Sequence, residues 1–196
     1  MTIEHQESDP VATSSWADVW RNRWRPRQAV GAVFVLFLVG IASPVLWGVV
    51  TGAVLCVLGE LVRTWAAGYI HKSRELATRG PYAFVRHPQY LGNCLLAMGF
   101  VLASGRLWAI AIWALIFWVF YVPAMRREDE KLHGRFGEAW TEFHQSTPAI
   151  FPVRWPCAER IALLREWSFL RCVRNGEPIW LALLAGAFVC IVLHLP

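Results

Sequence analysis

The sequence predicts an all-α fold, a polytopic bundle of about five membrane helices. Three observations carry this expectation. The 196 residues are 56% apolar, with a mean hydropathy of +0.39, which is high for a chain dissolved in water. The apolar residues gather in runs near the roughly 20 residues needed to cross the hydrocarbon core. The arginines and lysines fall between those runs, so the basic loops all lie on one side of the expected bundle.

Taken in order, the chain opens with the polar "MTIEHQESDPVATSS". It lacks the basic start, short apolar core and small-residue site of a cleaved signal peptide, so the apolar segments are expected to be retained. In "WADVWRNRWRPR", Trp16, Trp20 and Trp24 recur four apart with arginines between them. Residues 1–28 therefore read as an amphipathic segment anchored at the membrane surface. From Ala29 to Ile70 the apolar run is about twice the length of one span, and Ser43-Pro44 divides it into two helices. Tyr90 to Ser104, short for a full span, and Leu107 to Met125 form a second hairpin about Gly105-Arg106. Pro178 to Pro196 supplies the fifth membrane helix, and residues 153–196 read as an interfacial helix followed by that span.

Arg21, Arg23, Arg25 and Arg27 precede the first helix, and Lys72, Arg74, Arg79 and Arg86 lie between the hairpins. The two hairpin turns carry only Arg106. The basic side, with the N-terminus, is expected to be cytoplasmic. The net charge of +5 and pI near 9.2 follow from this topology; the basic residues border apolar segments, so no nucleic-acid partner is expected. No glycine-rich nucleotide loop follows a strand pattern, and no HExxH or close Cys/His cluster is present, so no metal is expected. Cys56, Cys94, Cys157, Cys172 and Cys190 form no close pair and read as structural.

Two stretches carry chemistry-bearing groups. In "MRREDEKLHGRFGEAWTEFHQ", Leu132, Phe136, Trp140 and Phe143 recur at helical spacing, which predicts a helix lying on the membrane or the bundle. Glu128 continues that stripe by one turn. It either meets a cation or hydrogen-bond donor there, or belongs to a frayed helix start open to water, helped by Gly134 and Gly137. In "TRGPYAFVRHPQYLGN", Gly80-Pro81 and His87-Pro88 interrupt any continuous helix. The residues alone leave two readings of it. Arg86, His87, Tyr82 and Tyr90 form an interfacial belt, or they line a cavity at membrane level. Glu60 and Arg63, three residues apart, read as an intrahelical pair with Arg63 snorkelling outward, or as lining for a lipid passage.

"GPYAFVRHPQYLG" and, about 35 residues on, "EDEKLHGRFGEAWTEFHQSTPAIFP" resemble the paired motifs of the integral-membrane isoprenylcysteine carboxyl methyltransferases and the related phospholipid methyltransferases. With the helix plan, the resemblance covers roughly Val30 to Pro152, so residues 29–152 are expected to form the methyltransferase core.

The resemblance implies S-adenosylmethionine bound at the cytoplasmic edge of the membrane, where the two blocks meet. It assigns Arg74, Glu75, Leu76, Ala77, Tyr82, His87, Pro88, Gln89, Tyr90 and Glu128 to the cofactor, with Glu128 facing its ammonium group. It further implies a lipid-linked substrate, such as a prenylated cysteine, entering from the bilayer. Two positions depart from the family pattern: Arg74 stands where histidine is frequent, and Ala124 where the substrate-facing arginine belongs. Arg126 or Arg127 is expected to supply that cation instead. The implied activity is carboxyl O-methylation, the alternatives being methylation of a phospholipid or other amine and a non-catalytic protein that keeps the fold.

Overall fold

The computed structural model describes residues 26–70, 75–153, 167–174 and 176–195. Among the described residues every regular element is helical, as the periodicity predicts. The expected surface anchor with Trp16, Trp20 and Trp24 lies outside them, as do Lys72, Arg74 and residues 154–166 of the expected interfacial helix.

Helix α1 (Pro26–Gly40) turns at Ser43-Pro44 into α2 (Leu46–Tyr69), because proline lacks the amide a helix needs and fixes its predecessor in an extended form. Helix α3 (Pro88–Ser104) ends at Gly105, whose φ of 71° is left-handed. The two hairpin turns meet at one end of the bundle: the Ser43 amide donates to the Ser104 carbonyl at 2.9 Å, and Arg106 Nε donates to the Ile41 carbonyl at 2.8 Å.

Beyond that turn the structure departs from the expected boundaries. The second apolar run does not stop near Met125. Helix α4 (Ala109–Ile116), a π-helical turn (Phe117–Tyr121) and α5 (Val122–Phe136) form one continuous 28-residue run. The apolar span thus passes without a break into the polar block, and the break falls at Gly137, with φ 53° and ψ −121°. Helix α6 (Glu138–Ser146) follows, then α7 (Phe169–Arg174) and α8 (Glu177–Val192). Two of the described helical runs, Leu46–Tyr69 and Ala109–Phe136, are long and apolar enough to cross a membrane; Gln28–Gly40 and Glu177–Val192 are shorter. The count of five spans is therefore met at two by length.

The most extensive contact joins α2 to α3. Glycines make it possible: a Cβ at Gly52 would stand 2.5 Å from the Gly99 carbonyl oxygen, and one at Gly59 would stand 2.8 Å from that of Gly92. Such backbone contact is how helices associate where lipid weakens any hydrophobic drive between them. Val50, Val54, Val57 and Leu61 of α2 remain exposed, the face lipid would cover. Phe34, Leu38, Phe100, Val101, Trp113 and Tyr121 fill the interior with Ile191 of α8.

Arg63 ties α8 into this frame. Its guanidinium donates to Asn93 of α3 and, at 2.9 Å, to Glu177 at the start of α8, with Glu60 3.5 Å away. The expected Glu60–Arg63 pair is present, but Arg63 turns inward to the C-terminal helix, because Asn93 and Glu177 take its two terminal nitrogens there.

Candidate functional site

At the end of the bundle opposite the hairpin turns, α2 finishes at Tyr69 and the chain returns through a 3₁₀ turn, Gly80–Ala83. Gly80 has φ 61°, and a Cβ there would lie 2.7 Å from the Tyr69 ring, so the turn needs glycine on two counts. Arg86 and His87 then pair by backbone with the segment after α6: their amides donate to the carbonyls of Pro148 and Ala149 at 2.8 and 2.9 Å. This pairing joins the two motif blocks, and Pro88 opens α3 immediately after it.

Between the blocks lies a cleft lined by Ile70, Glu75, Leu76, Ala77, Tyr82, Arg86, His87, Glu128, Leu132, Arg135, Phe136, Trp140 and Phe143. The stripe of Leu132, Phe136, Trp140 and Phe143 is divided between α5 and α6 by Gly137, and all four residues face the cleft. Glu128 is half-buried, and Tyr90 Oη donates to its Oε2 at 3.1 Å. The π-helical turn serves this contact, since it carries Tyr121 inward against Tyr90, ring centroids 5.9 Å apart. Of the two readings left open for Glu128, the partnered one holds.

His87 is buried, its Nε2 2.9 Å from Asp129 Oδ1; Arg86 Nη1 lies 3.7 Å from the other oxygen of the same carboxylate. The Arg86 guanidinium sits over Trp140, 5.9 Å from its ring centroid. Burial draws the Arg86 pKa below the usual guanidinium range, opposed by Asp129. Burial, then the nearby Glu128 and Glu177, push the Tyr82 phenol above its usual range.

Of the residues expected at the cofactor, Glu75, Leu76, Ala77, Tyr82, His87 and Glu128 line the cleft, and Tyr90 reaches it through Glu128. Pro88 is buried at the start of α3, and Gln89 turns away, donating to the Arg63 carbonyl at 3.1 Å. Neither lines the cleft. Arg126 and Arg127 are exposed on α5 and do not line it either; among the described residues the arginines that do are Arg86 and Arg135. Ala124 is buried in the core. For Arg86, one of the residues read as either interfacial belt or cavity lining, the cavity reading holds; its charge alone does not tell cleft from surface.

A helical bundle with two runs long and apolar enough to cross a membrane, and with an edge cleft that offers carboxylates, guanidinium groups and aromatic walls, defines the class as a membrane protein. Comparison with known proteins gives the family: residues 35–139 match the phospholipid methyltransferase family, and the chain belongs to it. It is similar to the cobalt-zinc-cadmium resistance protein CzcN of Cupriavidus metallidurans, 38% identical over 97 residues, covering 48% of this chain and 44% of that protein. It is similar also to the nickel-cobalt-cadmium resistance protein NccN of Alcaligenes xylosoxydans xylosoxydans, 35% identical over 119 residues (60% and 51%). Protein-S-isoprenylcysteine O-methyltransferase of Schizosaccharomyces pombe is 29% identical over 83 residues (42% and 35%). The chain thus spans about half the length, or less, of these curated relatives. No solved structure matches it.

Proposed function

We propose that this protein is an S-adenosylmethionine-dependent methyltransferase acting at the membrane interface, most like a protein-S-isoprenylcysteine carboxyl O-methyltransferase. The observation that carries the reading is Glu128, a half-buried carboxylate fixed by Tyr90 in a cleft that joins the two motif blocks. The donor set suits the cofactor: Glu128 for an ammonium group, and Leu132, Phe136, Trp140 and Phe143 for a flat purine. When bound, S-adenosylmethionine supplies an electrophilic methyl group on a sulfonium.

The chain's own residues orient and dry the site. The apolar wall keeps water from an acceptor carboxylate, which is ionised at neutral pH and needs no base. On this reading the acceptor is lipid-linked and enters sideways from the bilayer, while the N-terminus and the cleft face the cytoplasm in a multi-pass topology. Residues 29–152 form the core, flanked by a surface anchor in residues 1–28 and by a C-terminal unit in residues 153–196.

Isothermal titration of the detergent-solubilised protein with S-adenosylhomocysteine tests the proposal. Removing a charge-assisted contact by Glu128→Gln should weaken binding about 10–100-fold. Well-folded wild-type protein that binds neither cofactor nor product refutes it. A second reading, methylation of a lipid amine, is favoured by the buried Ala124, which puts no cation at the position the family resemblance assigns to the acceptor carboxylate. Labelled methyl groups then appear in base-stable amines rather than in alkali-labile esters.

A further inference from the structure

We infer that Arg86 is a ligand-binding residue that recognises a carboxylate entering the cleft. The inference rests on the cleft being the cofactor and acceptor site. It begins from an imbalance: the Arg86 side chain is only 9% exposed, and its Nε and Nη1 are closed off from solvent with no hydrogen-bond partner among the described residues. Its one charge partner among the described residues, Asp129, stands 3.7 Å from Nη1, beyond hydrogen-bond reach, with its other oxygen 2.9 Å from His87 Nε2.

Arginines with structural roles in this protein are used differently. Arg63 also leaves its Nε without a hydrogen-bond partner, but it fills both terminal nitrogens, on Asn93 and Glu177, and Arg106 caps the Ile41 carbonyl. Buried donors left unmade are costly, and burial already works against the charged form of Arg86. What Arg86 has instead is preorganisation. Its amide is fixed on Pro148, its guanidinium plane rests over Trp140, and the side chain lines the cleft. A planar fork so held matches a carboxylate bidentately, the geometry for which arginine exceeds lysine. Arg135, the other guanidinium of the lining among the described residues, is exposed to solvent.

Two ligands bring a carboxylate to this place. One is the amino-acid end of S-adenosylmethionine, whose ammonium Glu128 takes on the proposed reading. Glu128 and Asp129 are consecutive on α5, so the acceptor for an ammonium and the group that steadies Arg86 stand side by side. The other is the carboxylate of a prenylcysteine acceptor.

Isothermal titration of full-length protein in detergent separates them. The ligands are S-adenosylhomocysteine, decarboxylated S-adenosylhomocysteine, S-farnesylcysteine and S-farnesylcysteine methyl ester. If Arg86 holds the cofactor, Arg86→Gln weakens S-adenosylhomocysteine at least 10-fold and leaves the decarboxylated compound unchanged. If it holds the acceptor, the 10-fold loss appears for S-farnesylcysteine and not for its ester. In both cases Arg86→Lys recovers only part of the loss, and the unliganded melting temperature stays within about 3 °C of wild type, since no hydrogen bond of that side chain is removed. Wild-type protein tests the same point without mutation: one of the two ligands must lose at least 10-fold when its carboxylate is removed or esterified. Equal changes for all four compounds, or none, overturn the inference, as does a large fall in unliganded melting temperature without discrimination for the carboxylate. Wild-type protein that binds none of the four defeats the methyltransferase reading and this inference with it. Binding without discrimination defeats this inference alone.

Discussion

A single methyl group placed at Gly59 tests the packing that holds the cleft in place. A Cβ there would lie 2.8 Å from the Gly92 carbonyl oxygen and 3.0 Å from both the Leu96 amide nitrogen and its Cγ. Two of those atoms are backbone, so no rotamer change relieves the clash and α2 must move away from α3. Overpacking of this kind costs about 1–3 kcal/mol. Replacing a helical glycine by alanine returns about 1 kcal/mol through reduced backbone entropy. With rigid backbone atoms at two of the three contacts, the upper part of the overpacking range applies, about 2–3 kcal/mol. Gly59→Ala is therefore expected to destabilise by about 1–2 kcal/mol net, lowering the melting temperature by roughly 2–8 °C for a chain of this size. Gly134→Ala supplies the control. It too lies in a helix, but nothing stands within 4 Å of its would-be Cβ. Only the entropy gain operates there, so the melting temperature should rise by about 1–3 °C. Thermal unfolding in one detergent, followed by circular dichroism, compares the two. Shifts of the same sign at both positions would refute the glycine-contact account of the α2–α3 interface.

Tyr82 makes a pH-dependent contribution. Its folded pKa is raised above the ordinary value of about 10, so the stabilisation is complete below that pH and is lost as pH rises toward the folded value. Stability should fall by about 1.4 kcal/mol per pH unit above pH 10 from this group, and Tyr82→Phe should remove that part of the slope. Melting curves from pH 9 to 11.5 check it, and equal slopes in the two proteins refute it. Arg63→Met strands Glu177, Glu60 and Asn93 and should cost about 1–3 kcal/mol, the lower end reflecting partners found in the membrane reference state. Glu177→Gln keeps a hydrogen bond to Arg63 and should cost less. Equal melting temperatures for Arg63→Met and wild type would show that the α8 contact is not stabilising.

The helices were legible where one chain segment carries its own instructions. Ser43-Pro44 and Gly105 stop helices by local backbone chemistry, and the apolar runs declare their length. The boundary near Met125 was misplaced because composition changes there while backbone propensity does not. No residue between Ala109 and Phe136 interrupts hydrogen bonding as Gly137 does, and Pro123 is tolerated in the first turn after the π-helical segment. The glycine pairs across α2 and α3 went unread for a related reason. Each glycine has meaning only opposite its partner on the other helix, and single-helix periodicity does not register that partner.

The cleft follows the same division. Glu128 was legible as an acid on an apolar stripe, a local conflict that calls for a partner, and the structure supplies Tyr90 from 38 residues away. Gln89 and Arg63 were opaque, since their polar groups answer each other and Glu177 across three helices. Arg86 shows why charge in a sequence does not give function. Its exposure, its distance from Asp129, its seat on Trp140 and its tie to Pro148 come from three separate stretches of chain. Their convergence leaves Nε and Nη1 of Arg86 buried and unfilled, whereas Arg63, whose Nε is likewise unfilled, spends both terminal nitrogens on Asn93 and Glu177; it is the unfilled terminal nitrogen that sets Arg86 apart as a ligand-binding arginine.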